Sequence, residues 1–368
     1  MALIRKVDRQ NKFISTFNTL TGFYRRTGII ENGKDTHVDP FMTNFPELLD
    51  IGIMGYCIHG KSGLCLKAGV ECYQSGNTIH QPNMTLDNFK KIVKECKGKT
   101  FQIALGGRGD PDQHEQFEDI LKCCRKSNIV PNFTSSGLGF NQHIVNLCKK
   151  YCGAVAISWY RSDYTLKAIQ MLLNSKVKTN IQYVLSKSSI EEAIALLEQN
   201  KFPKGINAVI FLLHKPVGLG QSQNVLSYHD PCLQRFFQLI DSNDYDFKIG
   251  FDSCSIPAIL NFTSNISKES IDTCEGARWS AYITSDLKML PCSFDNDRQK
   301  WAYDISNNSI EEAWNSPQFE DFRNHFRHSC PNCSKRDLCL GSCPICPEIV
   351  LCHNKERIIA NEKVFEYI

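Results

Sequence analysis

The chain has no run of eighteen or more apolar residues, so no membrane-spanning helix is expected. Its formal charge is only +3, and no basic run or appended RNA-binding module is present, which argues against a nucleic-acid partner. Residues 1–6 (MALIRK) carry charge with no apolar core behind them, so no signal peptide is expected and the thiols are placed in a reducing, cytoplasmic compartment. Repeats and low-complexity tracts are also missing. At 42% hydrophobic and 22% charged, the composition is that of a soluble globular protein. What the chain does have is cysteine, eighteen in all. Without export, clustered cysteines are more often metal ligands than disulfides.

Residues 1–48 are polar and turn-rich. Ile29-Ile30-Glu31-Asn32-Gly33-Lys34 has the form of a hairpin arm and its turn. From residue 49 to about 245, short apolar runs alternate with helix-like segments. The runs are 49–54, 101–105, 129–134, 154–158, 180–185 and 208–213. The helix-like segments are 85–96, 113–127, 141–151, 162–173, 188–199 and 231–240. Ser188 followed by Glu191 reads as a capping box. Strand–helix repetition of this kind predicts an α/β fold, a parallel sheet with crossover helices. Six such units make about three-quarters of an eightfold barrel, with ligands at the C-terminal strand ends. After residue 245 the alternation stops, and residues 246–368 form a Cys-rich C-terminal domain. Its one clear helix covers 310–326, capped by Ser309.

Two groups of cysteines stand out. Cys57, Cys65 and Cys72 follow the first strand, with Tyr73 placed to cover them. The intervening loop contains Gly60, Gly63 and Gly69, which let it fold around a compact inorganic cluster. Cys330, Cys333, Cys339, Cys343, Cys346 and Cys352 form the second group. Such sites hold iron–sulfur clusters or zinc; for zinc, His59 is the fourth ligand available to the first group. Cys96, Cys123, Cys124, Cys148, Cys152 and Cys232 fall on helix-like segments and read as packing. After the second strand comes Gly106-Gly107-Arg108-Gly109-Asp110-Pro111, after the third Thr134-Ser135-Ser136-Gly137, and after the fourth Ser158 and Arg161. Gln182 lies in the fifth run. His214 and Lys215 follow the sixth, in a solvated loop or in the pocket. Asp252 reads as a turn or cap residue, or as a proton acceptor. Polar groups after successive strands beside a Cys triplet outline a pocket for a polar small molecule.

The cysteines after the first strand, the Gly-Gly turn after the second and the six-unit partial barrel resemble the radical S-adenosylmethionine enzymes. The resemblance implies a partial (β/α)6 TIM-like barrel and a [4Fe–4S] cluster on Cys57, Cys65 and Cys72. In that family the open iron takes S-adenosylmethionine, whose reductive cleavage gives a 5′-deoxyadenosyl radical. It also implies that Gly106 and Gly107 meet the methionine amino group, and that Ser158, Arg161 and Gln182 contact ribose or carboxylate. The family's triplet is CX3CX2C, here CX7CX6C; its Gly-Gly-Glu-Pro is here interrupted, with Asp110 in place of the Glu.

Cys330-x2-Cys333-x5-Cys339-x3-Cys343, with Cys274 and Cys292 upstream, closely resembles the SPASM domain that binds two auxiliary [4Fe–4S] clusters. By that resemblance cluster I takes Cys274, Cys292 and Cys343, with Cys254 or an open iron in fourth place. Cluster II takes Cys330, Cys333, Cys339 and either Cys352, preferred, or Cys346. The resemblance further implies an enzyme acting on a peptide or protein, foremost a ribosomal peptide precursor receiving a crosslink, with flavodoxin or ferredoxin as electron donor. Oxidation of Ser or Cys in a sulfatase is the alternative; its family base, an Asp after the second upstream cysteine, is here Ser293. A zinc-stabilised binding scaffold without chemistry is the remaining alternative. Residues 1–48 are too short for the winged-helix peptide-binding domain of many such maturases and are expected to offer a peptide an added strand.

Overall fold

The structure, a computed structural model, describes residues 3–60, 62–330, 332–341 and 343–353. The end of the expected C-terminal domain, residues 354–368, therefore lies outside the described residues. The chain opens with an antiparallel meander, β1 (Leu3–Asp8), β2 (Phe13–Asn18) and β3 (Tyr24–Arg26). Along β2, Phe13, Ser15 and Phe17 are buried in alternation, the period-2 pattern of a strand with one covered face. Buried Glu47 accepts hydrogen bonds from the Ser15 hydroxyl at 2.6 Å and the Tyr24 hydroxyl at 2.7 Å, which ties the meander to the segment entering the main sheet. The hairpin expected near residue 30 is present. β4 (Ile30–Glu31) pairs with β5 (Lys34–Asp35) across Asn32 and Gly33, both at positive φ, as a two-residue hairpin turn requires.

The main sheet has ten strands, in the order β12-β11-β10-β9-β8-β7-β6-β13-β14-β15. The six expected strands are β6 (Leu48–Met54), β7 (Gln102–Gly107), β8 (Val130–Ser135), β9 (Val155–Ser158), β10 (Thr179–Leu185) and β11 (Ala208–Leu213). A seventh, β12 (Lys248–Phe251), extends the sheet beyond them; at four residues it is too short to stand out as an apolar run. β13 (Ser280–Ile283) lies parallel to β6 on the other edge and continues antiparallel through β14 (Lys288–Leu290) and β15 (Tyr303–Asp304). Every pairing from β12 to β13 is parallel, so these strands end on one rim.

The two faces of the sheet differ. Leu49, Ile51, Ile103, Leu105, Ile157, Ile181, Phe211 and Leu213 are buried in the core shared with the helices. Their strand neighbours Asp50, Ala104, Asn132, Thr134, Ser158 and Gln182 are half-buried on the opposite, concave face. Small or polar residues at alternate strand positions thus mark a cleft rather than a packed barrel centre.

The helices are α1 (Leu64–Lys67), α2 (Leu86–Cys96), α3 (Phe117–Lys126), α4 (Gln142–Tyr151), α5 (Asp163–Asn174), α6 (Ile190–Glu198), α7 (Pro231–Ser242), α8 (Ile256–Phe262), α9 (Ile310–Trp314), α10 (Pro317–His328) and α11 (Arg336–Cys339). Thr85 and Asn141 cap α2 and α4 by accepting from the backbone N–H three residues on. The expected Ser188–Glu191 box does not form: Ser189 precedes α6, and the Ser188 hydroxyl bonds Ser186 instead. A capping box forms at Ser309–Glu312. The single helix expected over 310–326 is two. Pro317 has no N–H to continue α9, so the chain restarts as α10 with Ser316 as its cap. Between them, the Trp314 indole donates to Thr43 O at 2.9 Å, and buried Arg323 donates to Ala277 O and Trp314 O.

Candidate active site and metal centres

Cys57 lies three residues beyond β6, Cys65 on the single turn of α1, and Cys72 at the end of the same loop. Despite the long spacing, the three converge. A Cβ built on Gly76 would come within 3.0 Å of Cys57 Cβ and 3.6 Å of Cys72 Sγ. The Gly76 N–H points to Cys72 Sγ at 3.4 Å, and Cys65 Sγ is 3.7 Å from the Tyr160 hydroxyl. Burial pushes the Cys57 thiol up to about 11, with Cys65 and Asp110 adding to the effect; burial also raises Cys65 against the opposing Tyr160 hydroxyl.

Side-chain ties hold the loop in this form. His59 Nε2 lies 3.1 Å from Asp110 Oδ2, so this ring nitrogen is engaged by a carboxylate. Asp110 also accepts from the Ser136 N–H at 2.9 Å and the Ser136 hydroxyl at 2.5 Å. Glu71 accepts from Gln221 N and Asn224 Nδ2, both at 2.8 Å, and Leu219 N donates to Cys72 O. Arg161, at φ +60°, donates to Ala68 O at 2.8 Å and pairs with Glu192. The loop is thereby tied to the rims after β7, β8, β9 and β11. Tyr73 packs on Phe294, with ring centroids 4.9 Å apart.

The other residues singled out in the sequence divide by surroundings. Gly107 has φ +117°, and a Cβ there would strike Met54 O at 2.4 Å, so only glycine fits. A Cβ on Gly106 would meet nothing within 4 Å: this glycine leaves open space at the rim. Ser158 and Gln182 are register partners on β9 and β10, half-buried on the concave face. Arg161 is set apart from them by its bonds to Glu192 and Ala68. His214 and Lys215 are both buried, not in a solvated loop.

The C-terminal cysteines sort into two sets. Cys254 lies beside Cys343, with Cys274 and Cys292 next to them, and Cys346 is a further neighbour of Cys343. The four line a cavity of about 780 Å³. Burial pushes Cys274 up to about 11 and raises Cys292 well above an ordinary thiol. Cys339 is likewise lifted to about 11 by burial and by the nearby Cys352, Cys330 and Cys333; these four line a second cavity of about 130 Å³, which Cys254, Cys274 and Cys343 also line. Cys352, not Cys346, thus stands with the second set.

Three side chains beside Cys254, Cys274, Cys292 and Cys343 escaped sequence reasoning, Asp50, Glu275 and Tyr282, and a fourth, Lys215, was left between loop and pocket. Asp50 and Glu275 line the 780 Å³ cavity. Burial raises Asp50 to about 6, and burial together with Asp272 and Asp50 raises Glu275 to about 7. A Cβ on Gly52 would meet the Tyr282 hydroxyl at 2.3 Å, so Tyr282, register partner of Asp50, reaches over β6. Lys215 Nζ pairs with Asp252 Oδ2 at 2.5 Å, donates to Leu213 O at 3.0 Å and lies 4.3 Å from the Phe294 ring centre. Burial would lower its pKa, but Asp252 and the thiols of Cys254 and Cys343 hold it above an ordinary lysine. Asp252 also accepts from the Ser255 hydroxyl at 2.8 Å, the turn role expected of it. One signal was available for Asp50: an acidic residue inside an apolar strand.

The donor sets fit iron–sulfur clusters. All-thiol donor sets around open cavities suit a larger inorganic core.

Residues 274–335 match the family model of SPASM, an iron–sulfur cluster-binding domain. By fold, the chain is similar to Streptococcus suis SuiB bound to the precursor peptide SuiA, with a TM-score of 0.69, 13% identity and 94% of each chain covered. SuiB bound to S-adenosylmethionine matches with a TM-score of 0.64 and 16% identity, over 85% of this chain and 78% of that one. Native anSMEcpe with bound AdoMet and the Cp18Cys peptide matches with a TM-score of 0.59 and 14% identity, over 88% of this chain and 98% of that one. No curated protein matches in sequence. The chain therefore has the partial-barrel fold of the radical S-adenosylmethionine enzymes. It carries the SPASM domain that the cysteine spacings implied.

Proposed function

We propose that this protein is a radical S-adenosylmethionine enzyme that abstracts hydrogen from a peptide or protein, foremost a ribosomal peptide precursor. The observation that carries the reading is the convergence of Cys57, Cys65 and Cys72 at the sheet rim beside the open space at Gly106. SuiB with its precursor peptide and anSMEcpe with a Cys-containing peptide, on the same fold, support a peptide substrate.

In this reading Cys57, Cys65 and Cys72 hold a [4Fe–4S] cluster. When bound there and reduced, S-adenosylmethionine supplies the hydrogen-abstracting 5′-deoxyadenosyl radical. Gly106 leaves room for the methionine amino group. Ser158 and Gln182 offer hydrogen bonds from adjacent strands. Asp110, His59 and Glu71 hold the loop at one geometry, and ligand-orienting groups of this kind commonly contribute 10- to 100-fold. Cys330, Cys333, Cys339 and Cys352 hold one auxiliary cluster, and Cys274, Cys292 and Cys343 take part in the other. Asp50, in the cavity between the sheet and the latter, is placed to take a proton from substrate near neutral pH. An external one-electron donor of the flavodoxin or ferredoxin type completes the system.

Oxidation of a Ser or Cys in a protein remains a second reading. Ser293 lacks the carboxylate that such chemistry uses, but Asp50 and Glu275 bring carboxylates to the same cavity.

The test is anaerobic reconstitution with iron and sulfide, reduction, and addition of S-adenosylmethionine. 5′-Deoxyadenosine from the wild type and none from the Cys57/Cys65/Cys72→Ala variant is the expected result. A brown, cluster-bearing protein that makes none overturns the reading. A mass change in a peptide encoded beside the gene and co-expressed then identifies the substrate; turnover of a small metabolite with no peptide change overturns the peptide assignment.

A further inference from the structure

We infer that Lys215 sets the charge around the auxiliary cluster at Cys274, Cys292 and Cys343: its buried ammonium makes that cluster easier to reduce. The inference rests on the iron–sulfur reading above and concerns a residue that touches neither substrate nor iron.

Lys215 is the second residue after β11 and is only 3% exposed, a rare state for lysine unless it is paired. The strand pairing explains how its side chain is held. β11 and β12 are parallel neighbours, and Asp252 follows β12 directly. Asp252 Oδ2 accepts from the Leu213 N–H at 3.1 Å and from Lys215 Nζ at 2.5 Å. Lys215 Nζ also donates to Leu213 O at 3.0 Å. Two of its three N–H donors therefore go to the ends of these strands. Phe294, two residues beyond Cys292, lies over the ammonium with its ring centre 4.3 Å away. The loop that carries Lys215 is itself fixed against the first cysteine loop. Leu219 N donates to Cys72 O, and a Cβ on Gly218 would strike Tyr73 O at 2.5 Å.

The bland account is an ion pair that ties β11 to β12. Two observations go further. The thiols of Cys254 and Cys343 are close enough to act on the ammonium. At Cys254 the effect of the ammonium exceeds the opposing effect of the Asp252 carboxylate, so the pair is not electrically silent toward the sulfurs. Arg278, another buried cation near Cys274, is placed differently. Its guanidinium goes to Phe41 O at 2.7 Å, to Cys274 O at 2.8 Å and to the Thr273 hydroxyl at 2.5 Å. Reduction adds one negative charge to a cluster. A fixed cation beside its sulfurs favours the reduced state, and burial removes the water that would screen the cation. Easier reduction suits a cluster that takes electrons up from what the adjoining cavity holds.

The test uses full-length protein in the Cys57/Cys65/Cys72→Ala background, so that only auxiliary clusters remain. The protein is loaded anaerobically with iron and sulfide. The electron paramagnetic resonance signal of each reduced cluster is then followed as the potential is stepped with mediator dyes. Lys215→Met is similar in length and uncharged. It is expected to lower the reduction equilibrium constant of one cluster at least about tenfold, or about 59 mV for a one-electron couple, with the other within about threefold. Lys215→Arg keeps the charge and is expected to stay within about threefold of the parent at both clusters. Lys215→Met leaves Asp252 buried and unpaired, so Lys215→Met/Asp252→Asn, which removes the whole pair, is measured beside it. A fall at the same cluster is expected there too, because the ammonium outweighs the carboxylate at the sulfurs. Unchanged potentials in a folded, loaded Lys215→Met or double variant overturn the inference, as does an equal shift at both clusters. So does a double variant that cannot fold or cannot hold that cluster, because the pair is then a structural tie. A background protein that binds no iron–sulfur cluster at all would instead defeat the auxiliary-cluster reading on which the inference rests.

Discussion

The loop carrying Cys57, Cys65 and Cys72 and the segment carrying Cys330, Cys333 and Cys339 are both poor in buried side chains, yet they are held in different ways. In the first, His59 is buried and polar ties reach four rims of the sheet. In the second, none of the described residues from 327 to 344 is buried, and the one regular element is the single turn of α11. Among the described residues, Lys335 ties it outward, its Nζ donating to Leu260 O at 2.6 Å and to Asn261. Left-handed Leu340 and Gly341 then turn the chain back toward Cys330. The contrast predicts that the first site keeps its shape before any cofactor arrives, whereas the second depends on its cofactor for order. A site that must bind and release a small molecule each turnover gains from preformed geometry; a permanent cluster can supply its own.

The largest effect that separates the two regions is cluster removal. Chelation of iron under reducing conditions is expected to lower amide-exchange protection across 330–353 on the order of 10³-fold while leaving β6–β11 protected. Equal loss in both regions would mean that the barrel also needs its cluster to fold. Next is the Cys57/Cys65/Cys72→Ala variant: 5′-deoxyadenosine formation is expected to fall at least about 10³-fold with little change in the melting temperature. A melting temperature that collapses with these substitutions would contradict a loop held by polar ties.

Asp110→Asn probes the ties themselves. The amide cannot hold His59 and Ser136 together as the carboxylate does. Affinity for the first cluster, or activity, is expected to drop about 10- to 100-fold, with the auxiliary clusters retained. Wild-type iron content and activity in this variant would show that the loop holds its shape without Asp110.

The barrel was legible because its strands alternate with helices, and all six helices expected there begin within four residues of where the structure starts them. The Cys-rich C-terminal domain was legible from its cysteine spacing, and residues 274–335 match the SPASM family model. What stayed hidden was set by tertiary contact. The sequence left Cys254 as an alternative to an open iron; its place beside Cys343 comes from the turn after β12. Arg161 looked like a rim ligand, yet the fold brings it to Glu192, thirty-one positions away in the sequence. The break in the 310–326 helix, by contrast, was local: Pro317 announced it, and the apolar period on both sides concealed it.

The smallest expected effect concerns Asp50, on the concave face and in neither cysteine loop. Its carboxyl is raised to about 6 by burial, and Glu275, Tyr73 and Tyr282 face it. The folded protein therefore holds this proton where the unfolded chain, with an ordinary aspartate, has released it. Folded-state stability from this group is present at low pH and is lost as pH rises from about 4 through about 6; above that, the buried charge is a net cost. Asp50→Asn keeps the shape and removes the charge. It is expected to stabilise the protein by about 1–3 kcal/mol at pH 8, to make little difference at pH 4, and so to flatten the wild type's fall in stability between them. Glu275 titrates nearby, so the difference between the two proteins, measured by urea unfolding at each pH, isolates Asp50. If that difference is the same at pH 4 and pH 8, Asp50 is ionised throughout and is not the cavity's near-neutral acid. If stability rises but 5′-deoxyadenosine-coupled peptide turnover falls, the charge that destabilises the fold is the one the chemistry uses.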